Sequence, residues 1–272
     1  YALDELAIVA AFAIYFRAQV PESARSCLDD LLAASYPPEV ADQIPHIEQD
    51  VRAILSKQAR EAAIVDELRA HAEERQLICS ESWYKKCLEI LTASTLSDVT
   101  ALVGEPGTGK TSCFDTLMLA LSGVDAPKTT HRVHRICVGA MSDEHLLGKV
   151  DNHGQWVDGY LTSIIRKLYD AGGCSEGRSV INIWTWIVLD GGSLCYATAL
   201  TKAFGTSSCL TLGNGDRIPI RGNVRIIFET TPTDFTRSGG HGILSRAYPV
   251  HFDQSIVTSH VLTESWLKTR RE

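Results

Sequence analysis

Residues 104–111 read Gly104-Glu105-Pro106-Gly107-Thr108-Gly109-Lys110-Thr111 and satisfy the pattern G-x-x-x-x-G-K-[ST]. An apolar run, Val99 to Val103, precedes them, and an apolar helical pattern follows from Thr111 to about Leu121. Strand, glycine-rich loop and helix in that order make a phosphate cradle. Glycines let backbone N–H groups close around phosphate oxygens, and the helix N-terminus adds partial positive charge. The contacting residues are Gly104, Glu105, Pro106, Gly107, Thr108, Gly109, Lys110, Thr111 and Ser112. Lys110 reaches the β and γ oxygens, and the Thr111 hydroxyl is a ligand for Mg²⁺ of a bound ATP or ADP.

Downstream of the loop, short apolar runs alternate with helical segments. Arg135 to Val138, Trp186 to Leu189, Val224 to Phe228 and Tyr248 to Phe252 join Val99 to Val103 as candidate strands. Several are continuously apolar rather than alternating, which suits a parallel sheet covered on both faces. The fold class is therefore α/β: three layers around a five-stranded parallel sheet. Leu210 to Ile220 breaks the pattern, because Asn214-Gly215 supplies left-handed angles for a tight turn and predicts an inserted β-hairpin. Trp186-Ile187-Val188-Leu189-Asp190 ends a strand on a carboxylate, the second requirement of a phosphate-loop site, and makes Asp190 the candidate for the Mg²⁺ shell. The next residue is Gly191. ATPases of the AAA+ type, which such a site resembles, usually place a Glu at that position to polarise the attacking water, and a general base is worth about two to four orders of magnitude in rate. The expectation is binding without brisk hydrolysis.

Upstream, the first hundred residues read as helix. Leu3, Leu6, Ala7, Ala10, Ala11 and Ile14 recur at three-and-four spacing. Pro21-Glu22 starts another helix, with Cys27, Leu28, Leu31 and Leu32 as its expected buried face. Tyr36 to Pro45 is an irregular, proline-rich connection, and Ile47 to Arg75 carries mixed charge around Ile64, Val65 and Leu68. The net charge of −7 excludes an overall basic nucleic-acid binder, and no apolar run is long enough to cross a bilayer. Eight cysteines without a CxxC pair read as free thiols in a reducing compartment. His131 and His134 lack the second pair a zinc site needs, Cys113 reads as packing, and Ser245 has no histidine at triad spacing. Tyr1 and Glu272 fall without punctuation, so the chain reads as part of something longer.

With the loop, the Asp-Gly-Gly strand end and the hairpin in view, the chain resembles the dynein heavy chains, specifically their second AAA module. Asp4-Glu5-Leu6 through Pro37, Leu77 to Leu91, Trp156-Val157-Asp158-Gly159 with Leu161 to Leu168, Trp186 to Gly191, Leu212 to Ile218 and Arg225 to Glu229 match in order. The Gly-Glu-Pro opening of the loop is closer to the axonemal members. The resemblance implies an AAA+ phosphate-loop NTPase fold divided as follows: residues 1–45 end a preceding small helical domain and linker, 46–98 lead in, 99–256 form the large domain, and 257–272 start a helical lid.

The resemblance also implies roles. In the Ser245-Arg246 pair, Arg246 becomes an arginine finger acting in trans on the preceding module's nucleotide, a device worth about 10³ to 10⁵ in rate. Glu229 occupies the position of a polar sensor that is ordinarily Asn. Little hydrolysis is expected here, while the whole motor is an ATPase that drives minus-end-directed microtubule movement. Its implied partners are the neighbouring AAA modules, intermediate and light chains, and microtubules, with no nucleic acid and no membrane. The implied setting is cytoplasm and cytoskeleton, with the cilium or flagellum axoneme. The chain departs from the family at Ser193-Leu194-Cys195-Tyr196, at Gly205 to Ser208 and in the glycine-rich 237–242 loop. A second class stays open at this stage: a stand-alone AAA+ ATPase or remodelling chaperone that forms its own ring. Gly191 weighs against it, since such a machine needs its own base.

Overall fold

The computed structural model describes residues 8, 12, 13, 16, 20, 24–35, 58–77, 79–171, 182–191, 209–220, 222–237, 247–257, 263, 264, 266 and 267. They fall in two compact units. One comprises Tyr1–Leu88, Gly107–Val124 and Pro249–Glu272, the other Glu89–Pro106 and Asp125–Tyr248. In chain order the elements are α1 (Arg25–Ser35), α2 (Gln58–Glu74), α3 (Glu81–Leu96), β1 (Val99–Gly104), α4 (Lys110–Asp125), β2 (Thr129–Cys137), a 3₁₀ turn (Val138–Ala140), α5 (Asp143–Leu147), β3 (Gly148–Val150), β4 (Trp156–Asp158), α6 (Tyr160–Ala171), β5 (Asn182–Asp190), β6 (Cys209–Thr211), β7 (Arg217–Pro219), β8 (Val224–Thr230), α7 (Pro232–Arg237) and β9 (Tyr248–Phe252).

The expected α/β architecture is present: a five-stranded sheet in the order β2-β5-β8-β1-β9. The pairs β2/β5, β5/β8 and β8/β1 are parallel. All six residues of β1 are buried, as continuous apolar runs in a parallel sheet require. Val99, Ala101, Val103, Ile187, Leu189, Ile226 and Phe228 form a core with Leu161 and Ile165 of α6 and with Leu210 and Ile218 of the small β6/β7 hairpin. Their strand neighbours Leu102, Val188 and Ile227, which point the other way along the pleat, are buried as well. β1 comes first in the chain yet lies between β8 and β9, the last two strands of the sheet. The loop leaving its carboxyl end therefore starts where the strand order reverses, the place where open α/β sheets bind ligands.

Several expectations change in detail. β2 runs from Thr129, six residues before the predicted Arg135 start, and ends at Cys137, with Val138 already in the 3₁₀ turn. It is an edge strand with a mostly exposed burial pattern, so its first half carries polar side chains that an apolar-run criterion passes over. In α1, Leu28 and Leu32 are half-buried, but Cys27 and Leu31 are exposed. Consecutive helical residues stand about 100° apart, and the 28/32 pair takes the inner line. The β6/β7 hairpin occurs where predicted, around Asn214-Gly215. Only Gly215 has positive φ (91°), the Leu212 N–H donates to the Asp216 carbonyl at 2.8 Å, and the Asp216 N–H donates to Asn214 Oδ1 at 3.0 Å. A second hairpin, β3/β4, was not predicted. Asp151 Oδ1 accepts from the N–H groups of His153 and Gln155, each at 2.8 Å, and so builds its turn.

Candidate functional site

The phosphate loop begins at the end of β1 and leads directly into α4. Helix α4 follows from its sequence: Cys113, Phe114, Leu117, Met118, Ala120 and Leu121 are buried along one broad face. The Cys113 N–H donates to the Gly109 carbonyl at 2.9 Å, so the amides of Lys110, Thr111 and Ser112 lie in the first turn of α4, ahead of that bond. Gly107 and Gly109 have φ of 84° and 90°, angles that side-chain-bearing residues rarely adopt. A Cβ on Gly107 would meet nothing within 4 Å, whereas one on Gly109 would lie 3.0 Å from Val257 Cγ2 and 3.9 Å from Trp83 Nε1. Gly107 is thus demanded by the backbone turn alone, and Gly109 by both turn and space. Thr108 is buried, Gly109, Lys110 and Ser112 are half-buried, and Glu105, Pro106, Gly107 and Thr111 are exposed.

The second set of candidates lies at the carboxyl ends of the sheet strands. Register aligns Cys137 of β2 with Asp190 of β5, and Asp190 with Glu229 of β8. Asp190 and Glu229, named from the sequence for different reasons, are therefore neighbours across one strand pair. Sequence reading missed the residue that joins them. Arg135, two positions before the end of β2, donates from Nη1 to Glu229 Oε1 at 2.7 Å and stands 4.0 Å from Asp190 Oδ2. The Glu229 side chain is only 3% exposed. A carboxylate so buried needs a charged, hydrogen-bonding partner, and a guanidinium retains its charge in that role. A signal did exist: an arginine within a strand is costly unless a carboxylate receives it, but the sequence does not reveal which one.

Gly191 follows Asp190 with φ of 70°, and its N–H donates to the Glu229 carbonyl at 3.4 Å. A Cβ there would meet nothing within 4 Å, so backbone conformation rather than crowding selects glycine at the position where a hydrolytic site would carry its base. Arg246, with Ser245, lies outside the described residues.

The donors fit a Mg–nucleotide in kind. Mg²⁺ takes hard oxygen ligands, the types offered by the Thr111 hydroxyl and the Asp190 carboxylate, and the left-handed glycines before a helix N-terminus suit a phosphate. Of the other sequence candidates, His131 and Cys113 have their side chains buried within the fold. His131 Nε2 lies 3.0 Å from Asp125 Oδ2, while His131 Nδ1 accepts from Trp186 Nε1 at 3.1 Å. Burial pushes the Cys113 thiol well above its ordinary range. Cys27, Cys79, Cys87, Cys113, Cys137 and Cys209 are free. Among the described residues no cluster of three metal-ligating side chains occurs, and no helix is long and apolar enough to cross a membrane.

A polar clamp orders the region between β3 and β7. Arg166 donates to both Asp158 oxygens, from Nε at 2.6 Å and Nη2 at 3.1 Å, and Trp156 Nε1 donates to Asp158 Oδ1 at 2.9 Å. These bonds, the Arg166 ones foremost, hold the Asp158 carboxyl below the usual carboxylate range. Arg166 Nη2 is also 3.7 Å from Asp216 Oδ2, so one guanidinium ties the β3/β4 hairpin to the β6/β7 hairpin.

Parallel sheet, phosphate-loop motif at the strand-order reversal and acidic residues near the carboxyl ends of β5 and β8 define an AAA+ type α/β domain. Comparison with known sequences identifies the family. The chain is 30% identical over 214 residues to the cytoplasmic dynein heavy chain of Drosophila melanogaster, and 33% over 191 residues to that of Caenorhabditis elegans. It is 30% identical over 200 residues to the dynein axonemal heavy chain 5 of Rattus norvegicus. These alignments cover 76%, 70% and 73% of this chain, but only 4%, 4% and 5% of the respective relatives. No family model matches. The chain belongs to the dynein heavy-chain family, of which it spans a small fraction of the length.

Proposed function

We propose that the chain is a nucleotide-holding regulatory module of a dynein motor ring, the second AAA module, in which ATP or ADP with Mg²⁺ is retained rather than turned over. The observation that carries this reading is the conjunction of a phosphate loop with left-handed Gly107 and Gly109 and a glycine, also left-handed, directly after Asp190. Lys110 neutralises phosphate charge, first-turn amides of α4 orient the phosphates, and the Thr111 hydroxyl and Asp190 carboxylate belong to the metal shell. When bound, Mg²⁺ screens the phosphate oxygens and fixes their orientation. Glu229 is paired to Arg135 and so is a poor substitute for the missing base.

In the larger motor, residues 1–45 close the preceding module, 46–98 lead into this one, 99–256 form its large domain, and 257–272 begin its lid. Arg246 acts on the preceding module's nucleotide, where hydrolysis drives movement along microtubules. The partners are the adjoining AAA modules and, through the rest of the motor, intermediate and light chains and microtubules. The Gly-Glu-Pro loop opening favours a ciliary or flagellar axoneme as its place of work.

Binding and turnover measured on the purified chain test the reading. A fluorescent ADP analogue should bind, and Lys110→Ala should weaken binding at least about tenfold, the loss of one charge-assisted phosphate contact. Steady phosphate release should be negligible. Brisk release abolished by Lys110→Ala would refute the non-hydrolytic assignment.

A further inference from the structure

Strand β2 is outermost in the five-stranded sheet: β5 pairs with one side of it, and among the described residues no strand pairs with the other. The Asn182 N–H donates to the Lys128 carbonyl at 3.2 Å, and the parallel register sets Thr129 opposite Asn182. Main-chain groups alternate in direction along a strand. Thr130, Arg132 and His134 therefore turn theirs toward β5, while Thr129, His131 and Val133 turn N–H and C=O to the outer side. A row of such groups at a sheet edge is a template for one more strand. β2 is nine residues long, and Val133 at its centre is 40% exposed. The His131 ring is held between Asp125 Oδ2 at 3.0 Å and Trp186 Nε1 at 3.1 Å, so the edge is fixed in its extended form before any partner arrives.

The charge of this edge is one-sided. No Asp or Glu occurs between Asp125 and Asp143, whereas Lys128, Arg132 and Arg135 do, in a chain whose net charge is −7. Lys128 and Arg132 are exposed. A second copy of β2 laid against this edge would bring cation to cation, and like charges in cross-strand positions destabilise a pair. A strand with carboxylates at alternate positions meets the same cations favourably. We propose that the outer edge of β2 is a docking site for an extended, acidic segment of another protein, which joins the sheet as a further strand. The main chain of Thr129, His131 and Val133 supplies the affinity, and Lys128 with Arg132 supplies the preference for acid. Neither nucleotide nor metal takes part.

The test is fluorescence polarisation on the purified chain with a dye-labelled peptide of alternating threonine and glutamate, as long as β2. A Kd of about 100 µM or tighter is expected. Val133→Pro leaves the ladder to β5 intact and removes one outward donor, so it should weaken binding about tenfold. Arg132→Glu should weaken it severalfold and turn the preference toward the corresponding threonine–lysine peptide. Circular dichroism and urea unfolding establish that each variant is folded. The acidic peptide with every backbone nitrogen methylated keeps its carboxylates but cannot donate, and it should not bind the wild type; this comparison decides alone if the variants do not fold. No binding of the threonine–glutamate peptide at about 1 mM overturns the proposal. So does equal binding of the methylated peptide, equal binding of an oligothymidylate of the same charge, or binding unchanged in both folded variants.

Discussion

Replacing each loop glycine by alanine separates two costs that the motif treats as one. At Gly107 the φ of 84° is the only obstacle, since a Cβ meets nothing within 4 Å. Holding an L residue left-handed costs about 1 kcal/mol, so Gly107→Ala should lower unfolding stability by roughly that amount. At Gly109 the same conformational cost applies, and the new Cβ would also sit 3.0 Å from Val257 Cγ2, closer than the 3.4 Å at which ordinary contact begins. Overpacking adds about 1 kcal/mol or more, which puts Gly109→Ala at roughly 2 kcal/mol or above. Val257→Ala removes the obstructing methyl groups. In the double variant the steric part should vanish and the conformational part remain, giving a favourable coupling of about 1 kcal/mol. Urea unfolding of wild type, the three single variants and the double variant measures each value. Equal losses at the two glycines, or no coupling between positions 109 and 257, would refute the reasoning.

Other expectations follow from the same geometry. Gly191→Glu places a potential base beside Asp190 but holds an L residue at a φ of 70°, so it should cost about 1 kcal/mol in stability and fail to produce steady phosphate release. The Asp158 carboxyl has its folded-state pKa lowered by Arg166, so its stabilisation is present above the unfolded carboxylate value and is lost as pH falls through the folded value. Acid unfolding of Asp158→Asn should lack this component, and the variant should be about 1–3 kcal/mol less stable at neutral pH, as for loss of a charged hydrogen-bond acceptor. In a complete motor, Arg246→Ala should reduce microtubule-stimulated ATPase by about 10³-fold or more while leaving ADP affinity of this module unchanged. Equal effects of Arg246→Ala and Lys110→Ala on turnover would remove the division of labour between them.

The parts of the site legible in advance were those built from neighbours in the chain. Residues 104–111 need only a strand before them, a helix after them and glycines at the left-handed positions, and all three conditions are written within some twenty residues. Asp190 was legible because an apolar strand stops on it and glycine follows. The β3/β4 hairpin was less so: Asp151-Asn152-His153-Gly154 is a turn signal, but each strand is only three residues long and leaves almost no periodicity to read. The β6/β7 turn was legible at Asn214-Gly215, where Gly215 takes the left-handed angle and Asp216 closes the connection.

Sequence alone determined the glycine-rich loop at the end of the first sheet strand and the glycine, Gly191, directly after Asp190. Each feature depends on residue types within its own short stretch of chain. Only the tertiary structure decided what Glu229 does. Its partner Arg135 lies 94 residues earlier, on a strand separated from it by β5. No local pattern joins those two positions; the parallel register brings them together, and the energetic cost of a buried, unpaired carboxylate makes the pairing obligatory.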